Sequence, residues 1–307
     1  MDAKITKERI GQMLSYDWLK FIAMAGAVII FWLIAFTVTA TKITNTQRFT
    51  VFNHSSNATL GTDFYDLMDD CMENGFSYEV IETDIFDLSG KASQANSYYE
   101  AHLGAETAHL VFMPYFEGGE AQAFVNHRYT NLITVHEFLT EMKAYVSAYY
   151  PNGDYENGAL DTAKVASDFR MLIKRNNDKR FKGKKFNEGL LQEYARIQSY
   201  ADALVQFEEY LDLGLVCLEQ MEIQHASNPE NVLQESTDFV VNLCPDVTKM
   251  GNLKNYIYRL EGNSNTKTSY NMSVFFCRKE KYSETAYSYE SLLFINKLIE
   301  ASRTDNA

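Results

Sequence analysis

"RFTVFNHSSNATLGTDFYDLMDDCMENGFSYEVIET", residues 48–83, contains a complete strand–helix–strand pattern. The segment at 48–53 is rich in β-forming residues, and "YEVIET" at 78–83 predicts a second strand. Between them, "GTDFYDLMDDCMENG" predicts a helix that ends at Gly75. A strand, a helix and a strand in this order indicate a βαβ unit, whose two strands pair in parallel.

The same alternation continues after this unit. "SQANSYYEAHLG" predicts a short helix that ends at Gly104. "AHLVFMP" at 108–114 is a nearly continuous apolar run, which is typical of a strand that a parallel sheet buries on both faces. Strands that alternate with helices of this length predict a twisted, mostly parallel sheet.

The middle of the chain departs from this alternation. "NLITVHEFLTEMKAYVSAYY", "ALDTAKVASDFRMLIKRN" and the stripe of apolar residues from Glu188 to Leu213 predict three consecutive helices. The chain then returns through "LVCLEQMEI", "TDFVVNLCP" and "SYNMSVFF", which predict strands, and through a last helix at about Glu284–Ala301. The sequence therefore predicts an α/β fold with a mostly parallel sheet and a helical insertion at about 131–213.

A long apolar segment precedes the α/β part. "FIAMAGAVIIFWLIAFTVTAT" at 21–41 contains no charged residue, and a helix of about 20 apolar residues crosses a bilayer core. A secretory leader has a shorter apolar core of about 7 to 15 residues. We therefore predict a retained transmembrane anchor at 18–41. Val38 and Ala40 also suit a cleavage site, so a cleaved leader is the alternative.

The basic residues beside this segment predict its orientation. Four Lys or Arg residues lie within residues 1–20, whereas Lys42 and Arg48 follow the segment closely. Because loops on the cytoplasmic side carry the excess of Lys and Arg, residues 1–17 are predicted to form a cytoplasmic tail. Residues 42–307 are then an extracellular domain, and the protein crosses the cell membrane once.

Composition limits the function classes of this domain. The chain has a formal net charge of -13, which disfavours a role in gripping nucleic acid. Its 20 Tyr and 20 Phe residues, with only 4 Pro residues, predict a folded domain. Four cysteines follow the apolar segment, and both two disulfides and buried free thiols agree with their wide spacing: Cys71, Cys217, Cys244 and Cys277.

The sequence shows no catalytic or metal-binding motif. "HEFLTE" at 136–141 has Thr140 where a helical zinc site needs its second histidine. Neither a GxSxG nucleophile elbow nor a Gly-rich phosphate loop occurs. We therefore predict a non-catalytic protein without a cofactor or a metal.

A basic cluster, "KRNNDKRFKGKK" from Lys174 to Lys185, stands out against the acidic background. It fits contact with an anionic polymer, lipid headgroups or an acidic partner, and it equally fits a solvated connector between helices. We favour the solvated connector, because charged connectors between helices are common.

The order of these elements resembles that of extracellular solute-binding proteins of ABC importers. The resemblance rests on the apolar leader, the βαβ start, the "VFMP" strand, the helical excursion and the return through "FVVNL", and it covers residues 48–303. It carries no diagnostic motif. It implies a domain that binds a small polar solute, such as a sugar or a peptide, and that serves a transporter.

Ligands of open parallel sheets bind outside the carboxyl ends of the strands. Amides, carboxylates and aromatic rings at these ends suit a sugar or a peptide. The predicted ligand-binding residues are Asn53, His54, Tyr115, Glu117, Asn242, Asn255 and Tyr256. The main hypothesis is a membrane-anchored solute-binding domain. Its alternatives are a protein-interaction subunit of a membrane or cell-wall complex and a hydrolase without a recognisable motif.

Overall fold

The chain forms two compact units, Met1–Ile43 and Thr44–Ala307. The computed structural model describes residues 6–39, 47–54, 58–76, 80–88, 97–98, 101–114, 120–176, 181, 184–225, 228–260, 266–278 and 289–304.

The described part of the first unit contains one long helix, α1 (Lys7–Thr39). Its segment Trp18–Val38, 21 residues, is long and apolar enough to cross a membrane. Large apolar side chains along it are exposed, with Phe31 at 72% and Trp32 at 70%. These are the features expected of the predicted anchor at 18–41, whose last two residues lie outside the described part.

The second unit combines strands and helices. Its described strands are β1 (Arg48–Asn53), β2 (Thr59–Leu60), β3 (Glu82–Asp87), β4 (Leu110–Pro114), β5 (Leu132–Ile133), β6 (Val216–His225), β7 (Asn228–Leu243), β8 (Ile257–Leu260), β9 (Lys267–Thr268) and β10 (Met272–Cys277). Its described helices are α2 (Thr62–Asp70), which continues as a π-helical turn (Cys71–Gly75), α3 (Glu120–Arg128), α4 (Val135–Ser147), α5 (Thr162–Asn176), α6 (Lys184–Asp212), α7 (Leu253–Tyr256) and α8 (Glu290–Ser302).

The main sheet is mixed, with the strand order β3-β1-β4-β10-β7-β6. β1 pairs in parallel with β3 and β4, while β10 runs antiparallel to β4 and β7, and β6 runs antiparallel to β7. The prediction of a mostly parallel sheet is therefore wrong, although the α/β class is confirmed. Only residues 226 and 227 separate β6 from β7, and a parallel connection needs a dozen or more residues.

Burial on both faces explains why the sequence suggested parallel strands. Every residue of the central strand β10 is buried, as is every residue of β4. A continuous apolar run of this kind marks a fully buried strand, but it does not distinguish the two pairing directions. The second strand of the βαβ unit also begins later than predicted, at Glu82 instead of Tyr78, and residues 77–79 lie outside the described part.

Helices cover both faces of this sheet. On face A, Val51 shares a core with Phe64 of α2, Phe138 of α4 and Phe294 of α8. On face B, the neighbouring Phe52 lies in a second core, because successive strand residues point to opposite faces. That second core also contains Leu103, from the helical residues 101–104, and Val125 of α3. Three consecutive helices, α4, α5 and α6, occupy most of the predicted insertion at 131–213.

The four cysteines are free thiols. Cys71, Cys244 and Cys277 are buried, and burial raises the pKa of Cys71 and of Cys244 to about 12. The structure thus favours buried thiols over disulfides. The basic cluster falls partly outside the described residues, at 177–180 and 182–183, and its ends, Lys174 and Lys185, are exposed.

Candidate functional site

The carboxyl ends of four strands lie at one edge of the main sheet. Asn53 of β1 pairs with Asp87, the last residue of β3. Met272, the first residue of β10, pairs with Pro114 and Leu243, the last residues of β4 and β7. We call this end of the sheet the carboxyl edge.

The chain reverses its direction of travel across the sheet at β1. It passes from β1 to β3 through α2 on face A, then returns to the other side of β1, where β4 lies, through the helical residues 101–104 on face B. Such a reversal is a topological switch point, and ligands of open α/β sheets bind outside the carboxyl ends of the strands there. The switch point of this sheet lies at the carboxyl ends of β1 and β4.

A hydrogen-bonded pair, Asn53 and Asp87, occupies this position. Asn53 Nδ2 donates to Ala58 O and to Asp87 Oδ1, both at 2.9 Å, and the backbone N–H of Leu60 lies 3.4 Å from Asp87 Oδ2. A carbonyl and a carboxylate oxygen only accept hydrogen bonds, so these partners fix the orientation of the Asn53 amide. Its oxygen, Oδ1, is buried and has no hydrogen-bond partner in the described part of the chain.

A small antiparallel sheet of β2, β8 and β9 adjoins this pair. The backbone N–H of Gly61 donates to Tyr256 O at 2.7 Å. A Cβ atom on Gly61 would lie 2.1 Å from Asn255 O. The backbone of Asn255 and Tyr256 therefore packs directly on the segment that Asn53 and Asp87 bind.

Polar residues also occupy face B at the carboxyl edge. The backbone N–H of His54 donates to Phe112 O at 2.8 Å, which continues the pairing of β1 with β4. Burial lowers the pKa of His54, so its imidazole is neutral at pH 7. Farther along the edge, Asn242 lies opposite Ser273, and its Nδ2 atom donates to Glu219 Oε1 at 3.2 Å.

Buried polar atoms without a hydrogen-bond partner concentrate at this edge. Two buried atoms, Arg48 Nε and Glu82 Oε2, lie 3.0 Å apart in an ion pair and are left out of this count. Eight other side chains in the described part of the chain carry a buried polar atom without a hydrogen-bond partner. Five of the eight lie at the carboxyl edge: Asn53 Oδ1, Asn242 Oδ1, Tyr270 OH, Asn271 Oδ1 and Ser273 Oγ. We call these five the unpartnered edge atoms.

Two tyrosine hydroxyls lie within electrostatic reach of Asp87. Burial, followed by the negative charge of Asp87, raises the pKa of Tyr65. Burial also raises the pKa of Tyr270, with Arg259 opposing and Asp87 reinforcing the shift. Both hydroxyls are therefore neutral at physiological pH, and both remain hydrogen-bond donors as well as acceptors.

No family model, curated protein or solved structure matches this chain. The resemblance to solute-binding proteins of ABC importers therefore remains a prediction from the order of elements. Among the described residues, no group of three or more His, Cys, Asp and Glu side chains is placed to hold a metal ion.

The structure brings only some of the predicted site residues together. Asn53, Asn255 and Tyr256 meet around the segment 58–61, whereas His54 and Asn242 lie on face B. The two predicted residues after β4, at 115 and 117, lie outside the described residues.

The sequence prediction missed several polar residues of this edge. Asp87 was missed because its strand was predicted at 78–83, four residues too early. Tyr270, Asn271 and Ser273 were missed because the rule was applied only to carboxyl ends of strands, and β10 enters the edge by its amino end. An antiparallel assignment of β10 would have indicated them.

Proposed function

We propose that this protein is a membrane-anchored receptor-like protein whose α/β domain binds a small polar solute at the carboxyl edge. Helix α1 spans the cell membrane once, residues 1–17 are cytoplasmic and the domain is extracellular. The observation that carries the proposal is the buried Oδ1 atom of Asn53 at the switch point, which has no hydrogen-bond partner in the described part of the chain, together with the unpartnered Tyr270 hydroxyl, which lies within electrostatic reach of Asp87.

The energetic argument concerns the cost of these atoms. A buried polar group without a hydrogen-bond partner costs about 1–3 kcal/mol, so groups of this kind are rare in native proteins. Five at one sheet edge represent a large local cost. A polar solute that hydrogen-bonds to Asn53 Oδ1 and the Tyr270 hydroxyl recovers part of this cost.

The finer parts of the proposal follow the resemblance. We propose that the domain is non-catalytic and passes its solute to a transporter of the ABC type. The geometry disfavours a serine hydrolase at this edge. His54 continues β1 and Ser273 lies on β10, with β4 between them, and two interstrand spacings amount to about 9.6 Å. A nucleophile and its base need hydrogen-bond contact.

Thermal unfolding of the full-length chain in detergent, with a panel of sugars, short peptides, amino acids and amines, tests solute binding. A ligand that binds only the folded state raises Tm in a concentration-dependent manner. We expect at least one compound to do so, and we expect Tyr270→Phe to reduce the shift. Thr237→Val is the matched control, because it removes an unpartnered hydroxyl about 16 Å along β7 from Asn242. A panel without any stabilising compound would favour the protein-interaction alternative.

Membrane anchoring is tested separately in cells. We expect the full-length chain to resist carbonate extraction and a carboxyl-terminal tag to be digested by protease added to intact cells. A chain that starts at Thr44 should be extracted with soluble proteins. Recovery of a mature chain that begins near Thr41 would show that the helix is a cleaved leader.

A further inference from the structure

The unpartnered edge atoms share one chemical property. Three of them, on Asn53, Asn242 and Asn271, are amide oxygens, and two, on Tyr270 and Ser273, are hydroxyl oxygens. The amide nitrogen of Asn242 already donates to Glu219, so its oxygen is the atom left over. Within the described residues, the carboxyl edge therefore offers three acceptor-only amide oxygens and two hydroxyls that both accept and donate, and no unpartnered buried N–H group of a side chain accompanies them.

The charge beside Asn53 disfavours one class of contacting group, the anions. The carboxylate of Asp87 is bonded to Asn53, next to the unpartnered Asn53 Oδ1, whereas Glu219 lies on β6 at the opposite side of the sheet from β3. A carboxylate, phosphate or sulfate brings only acceptors and negative charge. Beside Asn53 it would meet an acceptor oxygen and the negative charge of Asp87, with the Tyr270 hydroxyl as a donor, so this position favours a cation over an anion.

The balance of donors and acceptors separates an amine from a neutral hydroxyl. A hydroxyl brings two lone pairs with its single hydrogen, whereas an ammonium group brings three hydrogens and no acceptor. An ammonium group also gains from the negative charge of a nearby carboxylate. The positive charge of Arg259 opposes the rise in the pKa of Tyr270, so Arg259 would also repel a bound ammonium group. Its side chain is exposed, and water and salt screen this repulsion.

On the basis of the proposed function, we infer that the solute is a compact organic amine in its ammonium form. It is held by Asn53 Oδ1 and the Tyr270 hydroxyl, and Asp87 supplies the opposite charge. The acidic domain, in a chain of net charge -13, adds a long-range attraction for such a cation.

A matched series of four-carbon probes tests this inference: putrescine, 1,4-butanediol and succinate. Each is added to the full-length chain in detergent at about 0.15 M salt, an ionic strength that screens weak binding to the acidic surface, and Tm and calorimetric affinity are measured. We expect putrescine to raise Tm, and 1,4-butanediol and succinate to leave it unchanged. Tyr270→Phe and Asp87→Asn should each weaken putrescine binding at least tenfold, whereas Thr237→Val should keep it within twofold.

The other outcomes overturn the inference in different ways. If 1,4-butanediol raises Tm as much as putrescine does, or if a sugar raises Tm and putrescine does not, the solute is a neutral polyol. The proposal of solute binding would then stand. Stabilisation by succinate would assign an anion. Putrescine binding that survives both Tyr270→Phe and Asp87→Asn would place the amine elsewhere on the acidic surface. Failure of the whole panel of sugars, peptides, amino acids and amines would instead overturn the proposed function itself.

Discussion

The side-chain amide of Asn53 donates a 2.9 Å hydrogen bond to the carboxylate of Asp87, across the last residues of the neighbouring strands β1 and β3. The same amide donates to Ala58 O at 2.9 Å. One side chain thus connects two parallel strands to the segment that enters the small sheet. The pair has a structural role as well as its proposed role in binding.

Replacement of Asp87 by Ala should lower the free energy of unfolding by about 1–3 kcal/mol, because a buried N–H of Asn53 then loses its acceptor. Urea unfolding of the full-length chain in detergent measures this change. Asp84→Ala in the same strand is the control. Asp84 lies 3.7 Å from Arg48 in a partly exposed ion pair, so its removal should cost less than about 1 kcal/mol. Equal losses in the two variants would contradict the structural role of Asp87.

Two serines before and within β10 should respond in opposite directions. Ser273→Ala removes a buried hydroxyl without a partner in the described part of the chain, so it should raise the free energy of unfolding by roughly 1 kcal/mol in the absence of ligand. Ser269→Ala should lower it by about 1 kcal/mol, because Ser269 Oγ accepts from Lys254 N at 2.9 Å and donates to Gly251 O at 3.0 Å. A loss of stability in Ser273→Ala would show that its hydroxyl has a partner.

Gly61→Ala tests the contact between α7 and the start of α2. The added Cβ would lie 2.1 Å from Asn255 O, so the two segments must separate, and we expect a loss of about 1–3 kcal/mol. Gly104→Ala is the control: among the described residues outside its own helix, no atom lies within 4 Å of its Cβ position, so this change should not destabilise the domain. A neutral Gly61→Ala variant would contradict the close packing of Asn255 on Gly61.

Local patterns in the sequence predicted much of the α/β unit. The strand Arg48–Asn53, the helix after Gly61 and the strand that ends at Pro114 follow from β-forming residues, an apolar run and helix periodicity. Pairing direction depends on connection lengths and on contacts between distant segments, and apolar runs carry no information about it. The site was therefore predicted in part: Asn53 followed from the βαβ unit, whereas Tyr270 and Ser273 depended on the antiparallel entry of β10.

A buried ion pair within α6 also contacts α4 on face A. Arg196 Nε donates to Glu193 Oε2 at 2.7 Å, and the guanidinium also donates to the Tyr145 hydroxyl at 2.9 Å. The side chains of Arg196 and Glu193 are 10% and 6% exposed. Arg196→Met should therefore cost about 3–5 kcal/mol, because it leaves the carboxylate of Glu193 buried without its cation.

The double variant Arg196→Met with Glu193→Leu separates charge from packing. Removal of both charges should recover most of the loss, since an apolar pair of similar volume replaces a buried ion pair at little cost. Denaturant unfolding of the two single variants and the double variant gives the interaction energy. Additive losses would show that the pair contributes through packing alone.

Alkaline pH should destabilise the domain through its buried thiols. Burial raises the pKa of Cys71 and Cys244 to about 12, and burial with the negative charge of Glu219 raises that of Cys217 to about 11, from an ordinary value of 9.0. Below pH 9 the thiols are protonated in both states, so their contribution to stability is complete. Above pH 9 the unfolded chain releases protons that the folded chain retains, so the free energy of unfolding falls as pH rises.

Urea unfolding at pH 8, 9 and 10 measures this decline in the free energy of unfolding. A variant with Ala in place of Cys71, Cys217 and Cys244 should show a shallower decline. Alkylation with iodoacetamide gives an independent measurement, because only the thiolate reacts. At pH 8.5 the folded chain should react much more slowly than the chain in urea, and the most exposed of the three thiols, Cys217, should react first. Rapid alkylation of Cys71 in the folded chain would contradict its burial beneath the end of α2.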